Sequence, residues 1–156
     1  MRLHWGMGVV EALRELLGPD HVLTDADVTA RYETDWTGAF HGRARAVVRP
    51  GDTAEVSGCV AICRDSATPL VAQGGNTGLV GGSVPDGSGR AVVLSTARLD
   101  RLGPVERATA QVTLGAGVTL AAAQRHVGTA GLAVAVDLAA RDSATIGGMV
   151  STPSCV

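Results

Sequence analysis

The sequence predicts an α+β fold, and three observations carry that reading. A strand–helix–strand rhythm runs from Ala44 to Ala72, and a glycine-rich loop, Gln73 to Pro85, follows directly. Further strand-like runs at Ala91–Ser95 and Ala110–Leu114 then lead into a helical pattern from about Thr119 to Val127. At 156 residues and 46% hydrophobic content, the chain is about one domain in size and can bury one core.

The elements follow in order. Residues Val9 to Leu17 alternate apolar and charged positions at helical spacing, and Gly18-Pro19 supplies a stop. Asp25 to Tyr32 suits a second short helix. Trp36 and Phe40 fall in the polar stretch Asp35 to Gly42, where anchoring into the local core is preferred over packing that loop onto a cofactor domain. Ala44 to Val48 reads as a strand, and Pro50-Gly51 turns the chain. Asp52 and Glu55 have the spacing of a capping box that opens a helix. Val56, Cys59, Val60 and Cys63 form its apolar stripe. Pro69 to Ala72 is the next strand, parallel to the first under the usual crossover. Ala110 to Leu114 suits an edge or half-buried strand. Gly115-Ala-Gly117 turns into the helix beginning near Thr119, and Gly128 and Gly131 end it. Leu132 to Val136 is a short extended run, followed by a polar loop from Asp137 to Asp142.

Charge and cysteine usage exclude several function classes. A net charge of −2, with no basic stripe interleaved with aromatics, argues against nucleic-acid binding. All 13 cationic residues are arginine, which reads as coding bias rather than function. Three cysteines, Cys59, Cys63 and Cys155, are too few and odd in number for a disulfide framework. Cys59 and Cys63 share a helix face without further soft ligands nearby, so both are expected as small buried residues rather than metal ligands. No run reaches membrane-spanning length, and the N-terminus lacks a basic start followed by an apolar signal core. These absences lead to an expectation of a bacterial cytoplasmic location.

The chemistry concentrates in Gln73-Gly-Gly-Asn-Thr-Gly-Leu-Val-Gly-Gly-Ser-Val-Pro85, which contains five glycines and the chain's only asparagine. Glycines let backbone N–H groups reach a surface unobstructed, and successive N–H groups converge into an anion-binding nest. A diphosphate is the expected guest. The loop lacks both the Gly-x-Gly-x-x-Gly helix opening and the Gly-Lys-Ser/Thr ending of the two common nucleotide motifs. A second segment, Asp137-Leu-Ala-Ala-Arg-Asp-Ser-Ala-Thr-Ile-Gly-Gly148, follows the expected extended run and adds Ser143, Thr145, Gly147 and Gly148.

With both segments in hand, the sequence resembles flavoproteins of the vanillyl-alcohol-oxidase (PCMH) type, and among them the FAD-linked D-2-hydroxyacid dehydrogenases. The matching pieces are Asp35-Trp36-Thr37 with Gly42, Gln73 to Pro85, Leu94 to Leu99, Gly115-Ala-Gly117, Asp137-Leu138 and Ser143 to Gly148. The resemblance implies the N-terminal half of a two-subdomain fold: a small β-α-β unit followed by the start of a mixed or antiparallel sheet with helices. It implies a helical extension over residues 1–43 and an FAD-binding domain, incomplete at its C-terminal end, over residues 44–156. Non-covalent FAD is the implied cofactor. Gly74, Gly75, Asn76, Thr77 and Gly78 would cradle its pyrophosphate through main-chain N–H groups, with Asn76 and Thr77 adding side-chain contacts and Leu79, Gly82 and Ser83 completing the loop. Asp137, Leu138, Ser143, Thr145, Gly147 and Gly148 would approach its flavin side.

The activity implied is oxidation of a small D-2-hydroxyacid, with hydride passing to flavin while a base takes the hydroxyl proton. No catalytic residue or metal ligand is assigned. His4, His21, His41 and His126 match no such position in the family and are expected in surface or local hydrogen-bonding roles. The chain departs from the family at Ala135-Val136, Ala139 and Asp142, and again over Ser151 to Val156. The expectation is therefore a truncated chain, inactive by itself. A non-catalytic remnant with weak or no FAD binding, or another flavoenzyme on the same domain, is the alternative.

Overall fold

The computed structural model describes residues 8–152. Helix α1 (Val9–Leu17) buries Val9, Ala12, Leu13 and Leu17 on one face and ends where Gly18 takes φ +83°. Glycine adopts that left-handed backbone without a Cβ penalty. A one-turn helix at Pro19–His21 leads to the short strand β1 (Val22–Leu23). Helix α2 (Ala26–Thr29) is capped by the Asp25 carboxylate, which accepts the Asp27 N–H, and runs on as a turn over Ala30–Tyr32.

Strand β2 (Ala44–Val48), helix α3 (Thr53–Asp65), strand β3 (Leu70–Gln73) and strand β4 (Ala91–Ser95) complete the first layer. The sheet order is β1-β2-β4-β3, with β2 and β3 both parallel to β4 and β1 antiparallel to β2. The two strands of the β-α-β unit are thus parallel as expected, but β4 lies between them. As the strand flanked on both sides, β4 is buried at all five of its residues, and its sequence Ala-Val-Val-Leu-Ser fits that position. Alternation along the strands divides the core. Ala46, Val48, Val92 and Leu94 face α1 and α3, whereas Val47 and Val93 pack with Tyr32 on the other face.

Leu13 has no solvent exposure and belongs to the same cluster as Cys59 and Val92. Leu13→Ala should therefore cost about 2–5 kcal/mol of folding stability, the range for truncating a buried leucine. Urea unfolding measures this, and a loss below about 1 kcal/mol would show α1 to be only loosely attached.

A second, two-stranded sheet follows, built from β5 (Leu102–Glu106) and β6 (Gln111–Leu114) in antiparallel pairing. Helix α4 (Leu120–Gly128) starts at Thr119, whose hydroxyl accepts the Ala122 N–H, and its His126 ring bonds the Gly103 carbonyl at 2.7 Å. Helix α5 (Ile146–Ser151) is capped by Thr145. The observed α+β architecture is the one the sequence predicts.

Several local expectations are corrected. In α3 the buried residues are Cys59, Ile62 and Cys63, while Val60 is 46% exposed, because α1 and the sheet meet the helix on the face centred between Cys59 and Ile62. Asp52 caps α3 as expected, but the Glu55 carboxylate accepts from Gly51 N–H rather than from the cap residue itself. Leu132 to Val136 forms no strand, since no neighbouring strand among the described residues pairs with it. Trp36 and Phe40 are not anchored in the core: they are 71% and 46% exposed. Cys59 and Cys63 are buried as expected. Burial, with smaller contributions from Cys63 and Glu55, pushes the Cys59 thiol up to about 12, so it stays protonated and inert. Cys155 and His4 lie outside the described residues.

Candidate functional site

In the parallel pair β3–β4, Gln73 stands opposite Ser95, so both strands deliver their following loops to the same sheet edge. Ligands of open α/β sheets bind at this carboxyl edge. The glycine loop leaves from Gln73 and the turn Thr96–Leu99 leaves from Ser95. Thr96 N–H bonds the Gln73 carbonyl at 3.0 Å, which fixes the start of one loop against the other.

The second glycine segment arrives at the same place. Gly75 lies directly against the Ser143 backbone carbonyl, and Gly74 lies against the Thr145 hydroxyl, so closely that a Cβ on either would collide. Gly147 lies over Ala116, and its N–H donates to the Ala116 carbonyl at 2.9 Å. Gly117 is in turn pressed on the Thr96 carbonyl, and its N–H bonds the Leu99 carbonyl at 2.8 Å. The segments 73–85, 94–99, 115–117 and 143–148, separate in sequence, therefore form one packed constellation.

Their chemistry differs. Among the described residues, none of the backbone N–H groups from Gly74 to Ser83 donates to a protein acceptor. Gly78 and Gly82 face open space where a Cβ would stand. This is a run of available donors, the arrangement that suits a diphosphate. In the second segment the donors are already used: Ile146 N–H bonds the Val118 carbonyl at 2.8 Å, and Gly148 N–H bonds the Thr145 hydroxyl at 3.3 Å. Ser143 is exposed, and its N–H goes to the Ala140 carbonyl at 2.9 Å. Asp137 pairs with Arg141 at 3.0 Å on the surface, beside Leu138. The second segment braces the first and offers few donors of its own.

Asn76 takes φ +52°, and its side chain turns inward rather than outward. Its Nδ2 donates to the Thr34 carbonyl at 2.8 Å, and its Oδ1 accepts from Ser83 Oγ at 2.7 Å. Gln73, only 3% exposed, donates through Nε2 to the Tyr32 and Ser83 carbonyls, both at 2.9 Å. Sequence reasoning did not single out Gln73 as a functional residue. The signal was its place at the end of an apolar strand, where a buried amide must find partners. Nor did it single out Thr96, whose Oγ1 is buried without a partner in the described residues.

The loop from Asp35 to Phe40 completes the surroundings. Phe40 lies over Gly81, where a Cβ would come within 2.6 Å of its Cγ. The Asp35 carboxylate, 5% exposed, accepts from Thr37 Oγ1 at 2.7 Å and from Phe40 N–H at 3.0 Å. Burial raises its pKa, but the bonds from Thr37, Phe40 and Ala39 outweigh that and leave it below the ordinary 3.8. A lowered carboxylate pKa stabilises the fold at pH above the unfolded value and ceases to do so as pH falls through the folded value. The stability difference between wild type and Asp35→Asn should accordingly be largest near neutrality and shrink below the ordinary 3.8. Urea titrations across pH measure it, and a pH-independent difference would remove Asp35 from the account.

His41 Nδ1 lies 3.2 Å from Thr34 Oγ1, and His126 serves the bond to Gly103. Among the described residues no group of three His, Cys, Asp or Glu is placed to hold a metal. No helix among them is long and apolar enough to cross a membrane. A cavity of about 250 Å³ lies against β5–β6 and the 132–134 segment, and one of about 440 Å³ beside the start of α3 is lined in part by Leu99, Gly115 and Ala116 of the constellation; no residue of the glycine loop lines either. The glycine loop is an open surface distinguished by its donors, not its depth.

Comparison with known proteins bears on this constellation. The chain matches the family described as FAD binding domain over residues 44–155. It is 34% identical over 143 residues to a rice (Oryza sativa subsp. indica) protein named "Probable D-2-hydroxyglutarate dehydrogenase, mitochondrial", a match covering 92% of this chain and 25% of that one. It is 41% identical over 111 residues to the 1'-carboxy-chondrochloren decarboxylase of Chondromyces crocatus, covering 70% and 20% respectively. Its fold is similar to a solved alkyldihydroxyacetonephosphate synthase, with TM-score 0.81 and 20% identity over 94% of this chain and 29% of that one. The chain thus spans about a quarter of the length of the curated dehydrogenases it matches. The expected bacterial cytoplasmic location is corrected by the same relatives, because the dehydrogenases among them are eukaryotic proteins with mitochondrial names.

Proposed function

The chain belongs to the FAD binding domain family, and from that premise we propose that it is the cofactor-holding part of a flavin-dependent oxidoreductase that acts on a D-2-hydroxyacid. The observation that carries the reading is the run of available N–H donors from Gly74 to Ser83, braced from behind by Ser143–Thr145. FAD, when bound, supplies an acceptor for a hydride from carbon.

This chain's residues bind and orient. Backbone N–H groups of Gly74, Gly75, Asn76, Thr77 and Gly78 would meet the pyrophosphate, and the Thr77 hydroxyl would add a donor. Leu79, Gly82 and Ser83 continue the rim. Thr145, Gly147 and Gly148 act through packing, since their own polar groups are engaged within the protein. Asp137, Leu138 and Ser143 would stand on the side toward the flavin. Residues 44–156 make up the cofactor-holding domain, with the helical extension before them packed into its core. The loop contains no histidine or cysteine, so attachment is non-covalent.

The purified chain should bind FAD saturably and be stabilised by about 2.7 kcal/mol when free FAD stands at 100 times its Kd. Flavin fluorescence and chemical unfolding measure this, and acid precipitation should leave the flavin in the supernatant. Absence of saturable binding would overturn the reading. The loaded chain should remain oxidised when D-2-hydroxyglutarate is added anaerobically, because no residue among 8–152 is assigned as the base that takes the hydroxyl proton. The similarity to the decarboxylase favours a second reading, a different flavin chemistry on the same domain. A complete polypeptide that binds FAD but is not reduced by any D-2-hydroxyacid would support it.

A further inference from the structure

We infer that Gln73, Asn76 and Ser83 form a side-chain clasp that holds the glycine loop in its donor-presenting shape before any ligand arrives, so that Asn76 and Ser83 are positioning residues rather than ligand contacts. The inference rests on the FAD reading for its consequence, not for its geometry.

Three observations support it. Gln73 and Ser83 stand at the two ends of the loop, and the Gln73 amide joins them through the Ser83 carbonyl at 2.9 Å. Asn76 sits inside the loop and is joined to the same residue, with the Ser83 hydroxyl donating to its Oδ1 at 2.7 Å. Both amides also reach the preceding segment: Gln73 bonds the Tyr32 carbonyl at 2.9 Å and Asn76 the Thr34 carbonyl at 2.8 Å. The loop is thereby closed on itself and fastened to residues 32–34 without using any backbone N–H between Gly74 and Ser83.

A glycine-rich loop left to itself samples many conformations, and converging N–H groups repel one another as aligned dipoles. Side-chain amides resolve the conflict, since between them they donate to the Tyr32, Ser83 and Thr34 carbonyls and accept from the Ser83 hydroxyl, leaving the backbone donors unused. Asn76 is suited on a second count, because asparagine tolerates the left-handed backbone (φ +52°) better than most residues. The clasp raises the fraction of molecules competent to bind, and apparent affinity scales with that fraction.

The test separates clasp from ligand contact with Ser83→Ala, Asn76→Gly and their double variant, with Ser83→Thr as the conservative rescue. Asn76→Gly keeps the left-handed backbone accessible while removing the side-chain bonds but adds freedom of its own, so Ser83→Ala, which cuts the Ser83–Asn76 bond without adding glycine, is the deciding variant. In the FAD-free full chain, ¹⁵N order parameters for residues 74–83 should be near the rigid value of about 0.85 and fall below about 0.6 in either single variant. Each single variant should weaken FAD binding by about tenfold, as expected if the competent fraction drops to about a tenth. The double variant should be little worse than either alone, because both cut the same linkage. Ser83→Thr should restore rigidity and affinity. A loop already mobile in the FAD-free wild type would overturn the inference, as would variants that stay rigid. Additive losses in the double variant would instead make both side chains separate ligand contacts and also overturn it. The order parameters need no FAD, so failure of the wild type to bind FAD would sink the functional reading and leave the clasp to be decided by them alone.

Discussion

Gly75→Ala should abolish measurable FAD binding and cost the fold at least about 2–3 kcal/mol, the upper part of the range for overpacking a filled site. The added methyl would be driven into the Ser143 backbone carbonyl, and the next atoms it meets are Ser143 carbonyl carbon and Ala144 N. All three are backbone, so no side-chain rotation relieves the contact. Relief requires the 73–85 loop and the 143–148 segment to separate. That separation would pull Ala144 away from Leu120, whose N–H bonds its carbonyl at 2.9 Å, and disturb the start of α4. Gly74→Ala meets the Thr145 hydroxyl instead, a side-chain atom that can rotate at the expense of the α5 cap, so its effect on stability should be smaller. Urea unfolding and FAD titration of the two variants give the comparison. Equal stabilities for Gly75→Ala and wild type would show that the two loops are not packed together.

This close packing explains what was readable in the sequence and what was not. The strand at Ala44–Val48, α3 with its Asp52 cap, the strand at Ala91–Ser95 and α1 up to Gly18 all declare themselves locally, through periodicity and terminal residues. The glycines of both loops were also visible as residues with a purpose. Their division of labour was not, because it depends on which backbone each glycine faces. Gly75 and Gly78 look alike in the sequence, yet one is pressed on Ser143 and the other faces open space. Strand β5 was missed because Leu-Gly-Pro-Val-Glu contains two residues that disfavour strands; it is tolerated in a two-stranded sheet, where Pro104 need not donate on a free edge. Strand β1 has only two residues and owes its existence to β2 beside it. Trp36 misled for a different reason. Aromatic residues usually go inside, but the bonds converging on Asp35 and the left-handed Gly38 (φ +70°) turn that loop outward.

Gly78→Val should leave stability within about 0.5 kcal/mol of wild type, as expected at an open surface position, while weakening FAD binding by at least about a hundredfold. Its backbone is not in the left-handed region, and apart from its chain neighbours no atom lies within 4 Å of the Cβ it would acquire. Nothing in the protein therefore requires glycine there. If the loop carries the pyrophosphate on its backbone N–H groups, the requirement comes from the ligand, because a branched side chain would occupy the volume through which the phosphate oxygens approach. Gly82, equally open, provides a second site for the same comparison. Together with Gly75→Ala the pair of results is decisive. Loss of binding at a fold-breaking glycine together with strong weakening at a fold-neutral one would place the cofactor on the outer face of the loop. If Gly78→Val binds FAD as tightly as wild type, the N–H groups of that face hold something other than the pyrophosphate, and the assignment of residues 74–78 fails even though the family stands.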